Sequence, residues 1–137
     1  MHDWDAFARR IEAAVDMRDE RTRFTELFAP GASFADPANP PTDDIRGIQR
    51  QTASSFPDWR QDVTSMRGGE SWAVFEWIGR ATFAPPEGDG IPIEMHGCTL
   101  LELDGDGLIT SWRDYLDRKE PEQQIRRALK ARAAQPS

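Results

Sequence analysis

Residues 91–116 read IPIEMHGCTLLELDGDGLITSWRDYL. Two runs of alternating apolar and polar residues flank the turn sequence DGDG at 104–107. That pattern predicts a hairpin of two long strands, 91–103 and 108–116. On the first strand Ile93, Met95, Gly97, Thr99, Leu101 and Leu103 share one face. On the second, the alternation puts Asp114 between Trp112 and Leu116. Carboxylates are disfavoured in strands and rarely face a core. An acidic side chain there makes sense if it faces a hollow rather than a packed interior.

Upstream of the hairpin, residues 71–83 alternate in the same way. Ala73, Phe75, Trp77, Gly79, Ala81 and Phe83 lie on one face, with Trp72, Val74, Glu76, Ile78, Arg80 and Thr82 on the other. A shorter strand spans 59–66 and turns at Arg67-Gly68-Gly69. Before Pro57 the period is helical. Trp4, Phe7, Ile11 and Val15 predict a helix from Asp3, its N-cap, to about Arg18. A shorter helix carries Phe24, Leu27 and Phe28 and stops at Pro30-Gly31. A short strand, 33–36, is broken by Pro37, and the prolines of 37–44 predict a loop. A third helix spans 44–55, with Ile45, Ile48, Thr52 and Phe56 as its inner stripe. Asp117 is placed to cap a last helix with its body at 122–133, and the tail 133–137 is expected to fray.

Helices followed by an antiparallel meander indicate an α+β domain with the helices gathered on one face of the sheet. Gly79 and Gly97 lie inside strands, where glycine marks a bend or a close approach. A bent sheet wrapped around helices makes a cone with an internal cavity. Val74 and Ile78 on the outer face fit a homodimer interface.

The chain of 137 residues suggests one domain, 1–137. Its formal net charge of −7 argues against nucleic acid or an anionic membrane as a partner. No apolar run approaches the ~18 residues of a membrane span. The start, MHDWDAFARR, lacks a basic-then-apolar leader, so a cytoplasmic location is the default expectation. Cys98 is the single cysteine, and His2 and His96 are far apart, a set that does not suggest a zinc site. Walker, GxGxxG and GxSxG motifs are absent from the sequence.

Three stretches taken in order resemble one family: FAPGASFADP at 28–37 after two helices, FPDW at 56–59, and DGLITSWRDYLD at 106–117. Together they resemble the SnoaL-like branch of the NTF2-like superfamily, and WRDYLD is especially similar to the last strand of limonene epoxide hydrolase. The resemblance implies a cystatin-like α+β roll, an NTF2-like cone with a curved, mostly antiparallel sheet around N-terminal helices. It implies a deep apolar pocket, commonly in a homodimer; the expected reaction uses no metal or cofactor. The family includes polyketide cyclases, epoxide hydrolases, steroid isomerases, dehydratases and proteins without chemistry, so the resemblance does not fix the activity. The expectation drawn from Asp114 is acid/base chemistry on an apolar or polyketide-like small molecule: cyclisation, isomerisation, dehydration or hydrolysis. The alternative is a non-catalytic small-ligand-binding or dimerisation module of the same fold.

Carried over from the epoxide hydrolase, the last strand's Trp and water-activating Asp fall on Trp112 and Asp114. Its Tyr and Asn after the second helix fall on Phe34 and Asp36, and its Arg and Asp on the long strand fall on Trp77 and Gly79. The resemblance therefore lacks the proton donor and its partner, which argues against ordinary epoxide hydrolysis.

Burial against Trp112, Trp77 and Phe34 would raise the pKa of Asp114 and suit it to general acid/base work. The competing reading is a structural aspartate bonded to a backbone amide or a pocket arginine. Asp36 is expected to assist or orient, or to share a proton with Asp114. Equally, an aspartate before proline can bond its own local backbone. Trp112, Trp77, Phe34, Met95, Gly79 and Leu116 are expected to shape the substrate pocket. His96 and Arg80 have outward parity unless a bulge at Gly97 reverses it. Cys98 reads as a small, inert residue.

Overall fold

The computed structural model describes residues 2–19 and 23–135. Its elements in chain order are α1 (Trp4–Val15), a 3-10 turn (Phe24–Leu27), β1 (Phe28–Asp36), β2 (Asn39–Thr42), α2 (Ile45–Ser55), β3 (Arg60–Gly68), β4 (Trp72–Phe83), β5 (Ile91–Leu103), β6 (Ile109–Leu116) and α3 (Lys119–Ala133). The strands form one six-stranded sheet in the order β2-β1-β6-β5-β4-β3. Only β1 and β6 run parallel; the other neighbours are antiparallel. This is the α+β architecture expected from the sequence.

The hairpin of β5 and β6 contains one irregularity that decides the site. Leu103 pairs with Ile109, yet Glu102 pairs with Ser111, so Thr110 is an extra residue on β6. A bulge of this kind reverses which face later residues occupy. Ile109 and Trp112 are three apart, and both are interior, at 0% and 2% exposure. Asp114 and Leu116 follow Trp112 in its alternation.

Helix α1 buries the stripe Phe7, Ala8, Ile11, Ala14 and Val15. Asp3 caps it by accepting from the Ala6 amide at 3.1 Å. Its polar residues reach the open edge of β3. The Val63 amide donates to Glu12 Oε2 at 2.8 Å, and Arg9 donates to the Val63 carbonyl at 3.3 Å. Covering an edge in this way blocks pairing with a foreign strand. Asp44 caps α2 by accepting from the Gly47 amide at 2.9 Å.

Helix α3 closes the other end. β6 stops at Leu116, opposite Gly97, which leaves the first half of β5 without a neighbour on that side. The Gln124 side chain takes the missing strand's place: Oε1 accepts from the Glu94 amide at 2.8 Å and Nε2 donates to the Glu94 carbonyl at 2.7 Å. No residue of α3 is fully buried, although Ile125 and Ala128 pack against the core.

Four expectations change. The helix expected around Phe24 is a 3-10 turn, and Phe28 already begins β1. Pro30 and Gly31 lie within that strand at an irregular stretch of its pairing, where Gly31 takes φ 76°. The expected loop 37–44 contains β2; its prolines 40 and 41 are tolerated because β2 is an edge strand with one partner. α1 ends at Val15, because the Asp16 carboxylate draws the Arg18 amide and guanidinium into a local turn. The last helix begins at Lys119, whose amide donates to Asp117 Oδ1 at 2.9 Å. Helix persists through Ala133; of the tail expected to fray, Pro136 and Ser137 lie outside the described residues. Among the described residues, no helix is long and apolar enough to cross a membrane.

Candidate active site

The concave face of the sheet, α1, α2 and α3 enclose a cavity of about 440 Å³. That volume suits a small organic ligand, for which pockets run ~300–1,000 Å³. Its sheet wall includes Phe34, Trp77, Met95, Trp112 and Leu116, and Asp114 stands among them.

Asp114 is held at one oxygen. Thr99 Oγ1 donates to Asp114 Oδ1 at 2.5 Å, and Trp112 Nε1 donates to the same oxygen at 2.8 Å. Trp77 Nε1 in turn donates to Thr99 Oγ1 at 2.8 Å. An indole N–H can only donate, so the Thr99 hydroxyl proton is directed to Asp114. Asp114 Oδ2 has no hydrogen bond among the described residues. A proton bound by this carboxyl therefore belongs on Oδ2, on the cavity wall.

The sequence builds that arrangement from large rings and absent side chains. Trp112 is fixed by Phe24, Phe28, Phe34 and Phe75, with ring centroids 5.4 to 6.0 Å away. Such pairs each contribute about 0.5–1.5 kcal/mol beyond simple burial. Trp77 reaches Thr99 because its indole lies across Gly97: a Cβ there would stand 2.2 Å from Trp77 Cζ2. Thr99 itself is fully buried and lies directly between Phe75 and Asp114 in the sheet.

Burial pushes the Asp114 carboxyl up from its ordinary 3.8 to about 7. The hydrogen bonds from Thr99 and Trp112 oppose that rise, and the charge of Asp36 adds to it. A carboxyl in this range exchanges a proton readily at neutral pH and can act as base and then as acid.

The remaining expected residues are distributed unevenly. Asp36 also lines the cavity, but its carboxylate is engaged in the β1–β2 turn. Oδ1 accepts from the Ala38 amide at 2.8 Å, the Asn39 amide at 2.7 Å and Asn39 Nδ2 at 3.0 Å. Gly79 is not on the cavity wall: the rings of Trp59 and Trp77 cover it, and a Cβ there would stand 2.4 Å from Trp59 Cη2. His96 faces outward, with Nδ1 2.7 Å from Glu120 Oε1. Arg80 is outward too, bonded to Asp62 and, at 3.2 Å, to Glu94. Cys98 stays a thiol, because burial, then the charges of Glu76 and Asp114, push its pKa up. Among the described residues, no group of three His, Cys, Asp or Glu side chains is placed to hold a metal ion.

Sequence reading missed Thr99 and Gln61. The alternation puts Thr99 on the inner face of β5, and a polar residue there is the available signal. Gln61 is the second residue of β3, at the start of an edge strand whose pairing is irregular, so its alternation is a weak signal. It pairs with Gly79 and is 7% exposed. The rim residues Arg118, Pro121 and Glu122 were not anticipated either. Their position depends on how α3 folds back over β5, which no local pattern encodes.

The fold recurs in solved structures. IdmH of Streptomyces antibioticus, a candidate polyketide cyclase, superposes with a TM-score of 0.74 at 22% identity, covering 90% of this chain and 99% of that one. An LEH-like epoxide hydrolase of M. tuberculosis gives 0.69 at 18% identity, over 96% of this chain and 98% of its own. A protein from Catenulispora acidiphila with a ketosteroid isomerase-like fold, solved with trimethylamine, gives 0.70 at 17% identity, over 90% and 93%. At these identities the likeness establishes the NTF2-like cone and nothing about the reaction. No curated protein matches the chain by sequence. The SnoaL-like domain model matches residues 2–112, most of the sequence and all of the cone up to Trp112, and the chain belongs to that family.

Proposed function

We propose that this chain, working as one cytoplasmic domain, is an acid/base enzyme in which Asp114 moves a proton on an apolar, ring-bearing substrate of the polyketide-like kind. The observation that carries this reading is the half-bound carboxyl: Oδ1 fixed by two donors, Oδ2 unbonded at the cavity, and a pKa near 7. Ionised Asp114 would take a proton from a carbon made acidic by an adjacent carbonyl. The new carboxylic acid, holding that proton on Oδ2, would return it to the substrate after the double bond shifts or the ring closes. Trp77 occupies the place where the resemblance calls for an arginine, and its N–H is spent on Thr99. Proton transfer at carbon therefore fits better than epoxide opening.

The test needs no knowledge of the natural substrate. 2-Tetralone is an apolar two-ring ketone whose α-hydrogens exchange slowly with D₂O. The wild type is expected to accelerate that exchange, followed by NMR, and Asp114→Asn to return it to the buffer rate. Equal acceleration by both proteins would remove Asp114 from the chemistry.

A binding module is the second reading, favoured by the engagement of Asp36 in its turn, which leaves Asp114 without a free acidic partner. Such a module would bind the ketone with no exchange. We also infer a homodimer through the convex face of the sheet. Trp72, Leu100 and Tyr115 are exposed there, at 47%, 38% and 55%, and Val74 pairs directly beside Leu100.

A further inference from the structure

The cavity contains a second polar group that the acid/base reading does not use. Gln61 lies on β3, near the flank of the sheet away from Asp114, with β4 and β5 between its strand and β6. The residue is 7% exposed, and its Oε1 is buried without a hydrogen-bond partner. Its side-chain amide makes no hydrogen bond at all among the described residues. A buried amide left unpaired is costly and rare in folded proteins. On either side of it the edge strand is tied to neighbouring elements: Val63 bonds Glu12 and Arg9, and the Trp59 carbonyl accepts from the Met17 amide at 2.8 Å. The side chain with this unmet capacity lines the cavity.

We propose that Gln61 is the polar recognition group for the remote end of the ligand. An amide can turn half a rotation and present either its carbonyl or its NH₂. It thus suits a hydroxyl, which both donates and accepts, or a carbonyl. The ligand class follows from the separation. Three strand spacings of about 4.8 Å lie between β3 and β6, so a molecule touching both Asp114 and Gln61 is extended. The walls between them are Trp59, Trp77 and Met95, which favour flat apolar rings. The substrate would be a fused-ring compound with its reacting carbon at one end and a phenol, alcohol or ketone oxygen at the other. This rests on the cavity being a ligand site, as proposed above, but not on catalysis.

The probes are 2-naphthol and 2-methylnaphthalene, which share a shape and differ in the hydroxyl. Isothermal titration of the wild type should show 2-naphthol binding about 3- to 10-fold more tightly, the range of one neutral hydrogen bond. Gln61→Met keeps the side-chain length and removes the amide. It should bring the two affinities within about 2-fold of each other while 2-methylnaphthalene binds as before. Ligand-free Gln61→Met should melt no lower than the wild type, because an unpaired amide is replaced by an apolar chain. Asp114→Asn should keep the preference. Four results would overturn the proposal: a preference that survives in Gln61→Met, a preference lost in Asp114→Asn, a wild type that binds neither ring or shows no preference, or a Gln61→Met melting several degrees lower. Failure of the tetralone exchange would sink the catalytic reading and leave these outcomes unchanged.

Discussion

Replacing Asp114 with asparagine should make the protein more stable, and the gain should grow with pH. In the folded state burial holds the Asp114 carboxyl near pKa 7, whereas the unfolded chain returns it to about 3.8. Between those values the native protein keeps a proton that the unfolded chain has released. Stability from this group is present in full below about pH 3.8 and is lost as pH rises towards 7. At about 1.4 kcal/mol per unit, that window is worth about 4 kcal/mol, and nearer 2 where water in the cavity solvates Oδ2. Asparagine keeps a carbonyl oxygen in place of Oδ1, so Thr99 and Trp112 retain their acceptor, and it carries no charge to desolvate. Urea unfolding of both proteins at pH 4, 6 and 8 measures the difference. Other carboxylates cancel in the comparison. They include Asp16, lowered by its bond from Arg18, and Asp58, where desolvation is outweighed by the hydrogen bonds from Thr82 and its own backbone together with the charge of Arg60. The expected result is near-equal stability at pH 4 and an advantage of about 2–4 kcal/mol for the variant at pH 8. Parallel pH profiles would mean that the carboxyl is well hydrated, and the argument for its chemistry would fail with it.

Two further outcomes follow from the same geometry. Thr99→Val should cost about 1–3 kcal/mol, because the Trp77 N–H loses its buried acceptor. It should also raise the Asp114 pKa further, since the Thr99 bond holds it down; NMR titration showing no change would place that hydrogen bond in doubt. Leu100→Glu should convert a wild-type dimer to a folded monomer in light scattering, by setting like charges across a two-fold axis; a monomeric wild type would remove the convex face as an interface.

The long hairpin was legible because its period-two pattern is uninterrupted and its turn carries DGDG. The inward aim of Asp114 was legible for a more local reason. Trp112 and Leu116 flank it at the right spacing, and all three lie after the Thr110 bulge. Extending the alternation back to Ile109 fails, since the extra residue changes the face between them. A register counted from the turn without that bulge would set Asp114 opposite Cys98, whereas its partner is Thr99. β2 was invisible because proline suppresses strand propensity, and only pairing to β1 reveals an edge strand that needs few donors. The position of Gly79 off the cavity wall was not legible for a steric reason. Sequence shows a missing side chain, but not that two indoles from other positions fill the gap.

Asp114 and Gln61 break the same folding rule in different ways. One places an ionisable group where its charge is disfavoured, and the other leaves an amide without a partner. Either could be replaced by a less polar residue of similar size with a gain in stability, as expected where activity and stability compete. The surrounding structure shows no matching looseness. Four phenylalanine rings fix Trp112, two glycines admit the indoles of Trp59 and Trp77, and Thr99 ties Trp77 to Asp114. A hollow kept only by poor packing would collapse around its polar groups, and those groups would find partners in one another. Here the walls are closely packed, and the unmet oxygen of Asp114 and the unmet amide of Gln61 stand three strands apart along one cavity. Among the described residues these two groups break local rules inside a core that otherwise follows them, which is the pattern expected of the ligand site proposed above.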